Sequence, residues 1–204
     1  MRFLRSAVPV WVAACIAVLV LGACEGGKPQ FKSTDITGAP YGKSLALTGY
    51  DGRPRTLADF RGKVVVLFFG YTQCPDVCPT AMAVLKQAKD KATAEGMNFP
   101  KVIFVSVDPE RDKIEMLGQY VRYFDKDFLG VTGDSKMIDA LARQLSVVYM
   151  RVPAETGDPD NYTIDHSSAL LLLDPQGRLT AFLTAPHTPA GVLESIQTVM
   201  ANTP

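Results

Sequence analysis

Val64-Val65-Val66-Leu67-Phe68-Phe69 is an unbroken apolar run that ends at Gly70 and leads straight into Tyr71-Thr72-Gln73-Cys74-Pro75-Asp76-Val77-Cys78-Pro79. Such a run, rich in β-branched and aromatic side chains, describes a strand covered on both faces. Between residues 80 and 95, apolar residues recur at Ala81, Leu85, Ala88 and Ala92 with helical spacing. Two thiols therefore fall at the carboxyl end of a buried strand, where a helix begins. That is a place for soft-metal or disulfide chemistry.

The rest of the chain builds around that strand. Residues 45–57 contain Tyr50-Asp51-Gly52-Arg53, a turn signal between two short strands. Residues 102–107 form a second buried strand, and residues 114–124 a helix with Leu117, Tyr120, Val121 and Phe124 on one face. Ile138, Leu141, Ala142 and Leu145 mark another helix, capped by Asp134 or Ser135. Residues 147–152 and 170–173 read as strands. Asp174-Pro175-Gln176-Gly177 then turns the chain into a hairpin partner at 179–183. Thr188-Pro189 opens a last helix carried by Val192, Leu193, Ile196, Val199 and Met200.

A parallel β-α-β half followed by an antiparallel β-β-α half describes an α/β protein with a thioredoxin-like fold. Its central mixed sheet is flanked by helices, with an N-terminal β-hairpin extension. The cysteines stand where that fold puts its active site.

The amino terminus reads as an export signal. Arg2 and Arg5 precede an apolar run over residues 7–21, shorter than the roughly 20 residues of a membrane span. Leu21-Gly22-Ala23-Cys24 resembles the lipobox of bacterial lipoproteins, which implies lipidation of Cys24 and loss of residues 1–23. Residues 24–40, rich in Gly, Pro, Lys and Ser beyond the cysteine, read as a flexible tether, leaving a domain over 41–204. The expected place is a membrane surface, lipid-anchored, with the domain facing the periplasm or the extracellular side. Glu25 stands where Asp is often linked to inner-membrane retention.

Without residues 1–23 the chain keeps 19 basic residues, the 21 of the whole less Arg2 and Arg5, against 21 acidic ones. Near-neutrality gives no electrostatic case for nucleic acid. Cys15 leaves with the signal and Cys24 carries lipid, so Cys74 and Cys78 remain as a lone pair. A lone pair is no disulfide framework, although an oxidising compartment would close it.

Three residues separate the two cysteines, where redox motifs usually have two. Pro79 disfavours helical geometry at Cys78, which predicts a tight turn through Pro75-Asp76-Val77 and a helix from about Pro79. The nearby helix amino terminus favours thiolate. Zinc wants four ligands, and the two histidines, His166 and His187, are not paired. Cu(I) favours thiolates and is content with three ligands, so two sulfurs and one imidazole suffice. His166, at the entrance to the strand after residue 168, is the better candidate. His187 reads as solvated.

Three segments carry a resemblance. Residues 70–79 as quoted, Val107-Asp108-Pro109-Glu110-Arg111-Asp112, and Asp165-His166-Ser167 look like the motifs of the Sco/SenC family of thioredoxin-like copper proteins. The resemblance covers roughly residues 41–200. It implies copper, as Cu(I) and with room for Cu(II), held by Cys74, Cys78 and His166. It further implies delivery to the dinuclear copper site of cytochrome c oxidase subunit II, after loading by a periplasmic copper donor or reduction by a thiol reductant. Gln73 departs from the pattern, since many members carry His there; the position is not a ligand.

Asp108 ends the second buried strand and reads either as a site residue or as a plain strand terminus. Asp165 reads either as an orienter of the imidazole or as a turn residue. The rival function is a thiol–disulfide oxidoreductase, with Cys74 attacking and Cys78 resolving. A peroxidase fits less well: in peroxiredoxins Thr precedes the reactive Cys by three positions, whereas Thr72 precedes Cys74 by two.

Overall fold

The computed structural model describes residues 34–35, 46–155, 158 and 160–202. Cys15, Cys24 and the expected signal lie outside them. Among the described residues eight strands form one mixed sheet, in the order β1 (Thr34–Asp35), β10 (Leu179–Leu183), β9 (Leu170–Leu173), β4 (Val65–Gly70), β5 (Lys101–Ser106), β6 (Leu129–Thr132), β2 (Ala46–Gly49), β3 (Pro54–Thr56). Its centre is β4 (Val65–Gly70), which lies parallel to β5 (Lys101–Ser106) and antiparallel to β9 (Leu170–Leu173). Every residue of β4 and β9 is buried, as a central strand requires. β10 (Leu179–Leu183) continues the antiparallel half, and β6 (Leu129–Thr132) the parallel half. The hairpin β2 (Ala46–Gly49) and β3 (Pro54–Thr56) adds to the outer edge of β6. Within the stretch read as tether, β1 (Thr34–Asp35) pairs with β10 at the far edge.

Among the described residues four α-helices cover the sheet: α1 (Val77–Ala94), α2 (Ile114–Phe124), α3 (Ser135–Gln144) and α4 (Pro189–Ala201). α1 packs against α4 and α2. The caps follow local chemistry. Asp134, not Ser135, caps α3 by accepting from Met137 N at 2.8 Å, and Thr188 accepts from Gly191 N at 3.1 Å behind Pro189. No helix among the described residues is long and apolar enough to cross a membrane.

Two local expectations change, and one strand, β6, is not foreseen from the sequence. α1 begins at Val77 and includes Cys78. Pro79 sits in the first turn, where a missing N–H breaks no helical bond. β6 carries a weak signal, because it is four residues long with Gly130 inside. Residues 149–153 (β7, Tyr149–Pro153) do not join the main sheet; they pair with β8 (Tyr162–His166) in a separate two-stranded ribbon.

Leu171 is fully buried in β9, opposite Leu67 and Phe182. Leu171→Ala should cost about 2–5 kcal/mol, read as a lower urea midpoint at unchanged slope. Tyr123→Ala, at a position 85% exposed, should stay within about 0.5 kcal/mol.

Candidate metal centre

Cys74 follows a turn in which its N–H donates to the Tyr71 carbonyl at 3.2 Å. Cys78 lies in the first turn of α1, and its N–H donates to Cys74 Sγ at 3.4 Å. Cys78 is fully buried and Cys74 is 8% exposed. The close fit depends on Gly70: a Cβ there would lie 2.6 Å from Cys78 Sγ and 2.9 Å from the Phe104 ring. His166 closes the third side, with Nε2 3.3 Å from Cys78 Sγ and 3.9 Å from Cys74 Sγ. The three ligand atoms lie within 4.8 Å of one another. Neither cysteine is in a disulfide.

The pair divides its protons unequally. The Cys78 thiol donating to Cys74, aided by His166 and backbone N–H groups, lowers Cys74 to about 4 against the effect of burial. The same bond, with burial, pushes Cys78 far above the ordinary thiol range. At neutral pH the site holds one thiolate and one thiol. A metal held by both sulfurs must displace the second proton.

The imidazole is already oriented for the same task. Nδ1 lies 3.1 Å from the Ser167 carbonyl, which can only accept, so Nδ1 carries a hydrogen and Nε2 is the ring nitrogen that faces the sulfurs. Phe68 and Tyr71 meet the ring edge-on, at 6.1 and 6.0 Å. Two sulfurs and one imidazole nitrogen in an apolar surround fit a soft monovalent cation that accepts three ligands. Among the described residues, no fourth His, Cys, Asp or Glu joins the group, as a closed zinc site would need. His187 is half-buried rather than solvated, and its Nε2 donates to the Ser168 carbonyl at 2.8 Å.

His166 arrives on a strand, not on a loop at a strand entrance. Along β8, Tyr162, Ile164 and His166 alternate onto one face. Each is tied down. Tyr162 donates to Asp108 Oδ1 at 2.8 Å, and its carbonyl accepts from Arg111 Nη1 at 2.9 Å. The Ile164 N–H reaches the Tyr71 hydroxyl at 3.3 Å. Arg111 donates to the other Asp108 oxygen and stacks 3.5 Å from the Tyr162 ring centre. Burial and Asp108 push the Tyr162 hydroxyl up to about 12. Asp108 does not touch the metal group; it fixes the strand that carries His166. Asp165 is exposed, paired in register with Met150 and on the other face from the imidazole. The backbone of Ser167 takes the orienting role considered for it.

Asp112 was not singled out from the sequence, although it closes the motif 107–112. Its carboxylate accepts from Thr72 N at 3.0 Å, Thr72 Oγ1 at 2.6 Å and Ser106 Oγ at 2.6 Å. That fixes the loop leading to Cys74. Burial raises its pKa against those three bonds. An acid directly after an acid-rich turn was the one available signal.

The chain matches the SCO1/SenC family over residues 33–201. It belongs to that family. It is 34% identical to the mitochondrial SCO2 homolog of Bos taurus over 179 residues, 87% of this chain and 66% of that protein. The chain thus spans just under two thirds of the bovine relative. ScoI of Arabidopsis thaliana, solved with copper bound, superposes with a TM-score of 0.73 at 31% identity, covering 80% of this chain and 99% of that one. Copper-bound ScoI of Bradyrhizobium japonicum gives 0.64 at 33%, covering 78% and 99%. The thioredoxin-like arrangement is the one these structures share.

In wild type, the ultraviolet thiolate absorbance of Cys74 should vanish as pH falls through about 4. In Cys78→Ala the donor is gone, so the same loss should come at clearly higher pH, toward the roughly 8.5 of a free thiol.

Proposed function

We propose that this SCO1/SenC protein is a copper carrier, whose cargo is one copper ion held by Cys74, Cys78 and His166. The observation that carries the reading is the convergence of two sulfurs and one oriented imidazole nitrogen within 4.8 Å. The copper-bound relatives from Arabidopsis and Bradyrhizobium support it. Loading begins at Cys74, which is the thiolate and the more exposed sulfur. Cys78 then gives up its proton and closes the second bond, and His166 completes the set. Release is ligand exchange, in which an acceptor's donors replace these three one at a time. The acceptor is the dinuclear copper site of cytochrome c oxidase subunit II, and lipid on Cys24 holds the domain at the outer face of a membrane.

One observation favours a second activity at the same place. A low Cys74 beside a high Cys78 is the division of labour of a dithiol reductant. Cys74 thiolate would attack a target disulfide and form a mixed disulfide, releasing one target thiolate. Cys78 would then lose its proton and attack the Cys74 sulfur, freeing the second target sulfur and leaving the Cys74–Cys78 disulfide. Atoms and electrons balance, and a periplasmic thiol reductant must restore the pair.

Titrating the reduced full chain with Cu(I) against a competing chelator separates the two. His166→Ala should weaken copper binding by about tenfold or more, about 1.4 kcal/mol for each tenfold, and leave disulfide exchange intact. A reduced chain that binds no Cu(I) yet reduces disulfides quickly would rule out the carrier. Asp108→Asn should weaken copper binding by about 10–100-fold through the loosened strand, with ordinary reactivity of the cysteine pair retained.

A further inference from the structure

A cavity of about 740 Å³ lies at the other end of the sheet from the cysteines, where β4 and β5 begin. Lys63, Lys89 and Lys101 reach it, with Asp127 as the carboxylate among its lining residues. Its wall includes Val64, Val102 and Phe128, all buried. From it an apolar groove of about 420 Å³ continues along α1 and α4, sharing Phe99 and Met200 and running over Leu193 and Ile196. Met200, at the junction, is 46% exposed.

The lysines are not equally matched. Lys89 is paired with Asp125 at 2.6 Å and Asp127 at 2.7 Å. Lys101 is half-buried, and its ammonium donates to the backbone carbonyl of Asp127. Among the described residues no carboxylate forms an ion pair with Lys101 or Lys63. Burial, with Lys89 and Lys63 adding repulsion, pulls the Lys101 pKa down against the attraction of Asp127. A partly desolvated cation lacking a counter-ion is costly, and an anion in the cavity would supply one. A simple anion leaves the adjoining apolar groove unused. A concave apolar site with a few convergent polar groups is the usual form of a small-molecule site.

We propose that cavity and groove together bind an anionic amphiphile, its carboxylate or phosphate headgroup on Lys101 and Lys63 and its acyl chain along Phe99 and Met200 toward Ile196. The site is independent of copper, which is bound at the far end of the same strands. Its ligand is either a free acyl anion or an anionic lipid of the membrane.

The test titrates the full chain calorimetrically with dodecanoate, dodecanol and acetate. A parallel arm follows binding to phosphatidylcholine vesicles with and without phosphatidylglycerol. Dodecanoate should bind more tightly than either partial mimic. Lys101→Gln should weaken it about tenfold or more, the scale of a lost charged hydrogen bond, without affecting dodecanol. Met200→Glu should weaken both chains. Lys63→Gln serves as a second headgroup variant should Lys101→Gln melt early. If dodecanoate is not bound but vesicle binding requires phosphatidylglycerol and falls in both Lys101→Gln and Met200→Glu, the ligand is a membrane lipid and the site stands. Dodecanol binding as tightly as dodecanoate would overturn the proposal. So would variants that bind dodecanoate and phosphatidylglycerol vesicles like wild type.

Discussion

Two buried carboxylates, four residues apart on the loop after β5, hold both halves of the metal group. Asp112 receives three hydrogen bonds and pins Thr72, two residues before Cys74. Asp108 receives the Tyr162 hydroxyl and the Arg111 guanidinium and pins the strand that ends in His166. Ser106 links them, donating to Asp112 while accepting from Asp108 N. Sulfur and nitrogen come from positions 88 and 92 residues apart. One short loop brings them into register. A buried carboxylate with all its partners is a precise spacer; missing one, it is a cost.

Much of this was written in the chain, and the omissions have causes. The runs at β4, β5 and β9 and the periods of α1, α2 and α4 are dictated by burial, so apolar pattern alone finds them. The cysteine pair declares itself by its position between a buried strand and a helix. The strand β8 does not, because only two of its five residues, Tyr162 and Ile164, are buried, and polar alternation over so few residues resembles a loop; β7 reads as a strand, but nothing local shows that its partner is β8. The partners of His166 and Thr72 stand 54 and 40 residues away from them or their strand-mates. Local spacing cannot show such pairs. Arg111 illustrates the gap: a local ion pair with Asp108 was foreseeable, its contact with Tyr162 was not.

The same burial serves both proposed activities. Cys78 lies beneath Cys74 and over Gly70, where its thiol can reach only its neighbours. It therefore keeps its proton while holding Cys74 ionised. A soft cation and a disulfide sulfur are both electrophiles that meet the Cys74 thiolate first. They differ in what happens next: copper keeps both sulfurs and recruits the imidazole, whereas exchange consumes the pair as a disulfide and leaves His166 out.

That difference bears on how copper could leave. The two sulfurs belong to one rigid turn and helix start within the main core, so they act as a unit. The imidazole sits on a two-stranded ribbon that pairs with no strand of the main sheet, and such ribbons are marginal without added contacts. Here the polar contacts include Asp108 and Arg111 on Tyr162, Tyr71 on Ile164, Asp139 on Tyr149 and Glu110 on Arg151. The nitrogen is thus the ligand whose displacement disturbs least of the fold. An incoming donor that replaces it first meets copper still held by two sulfurs, one of them beside the surface. In the proposed carrier role, exchange would run from the histidine to Cys74 and last to Cys78, whose recovered proton would restore the thiol–thiolate pair.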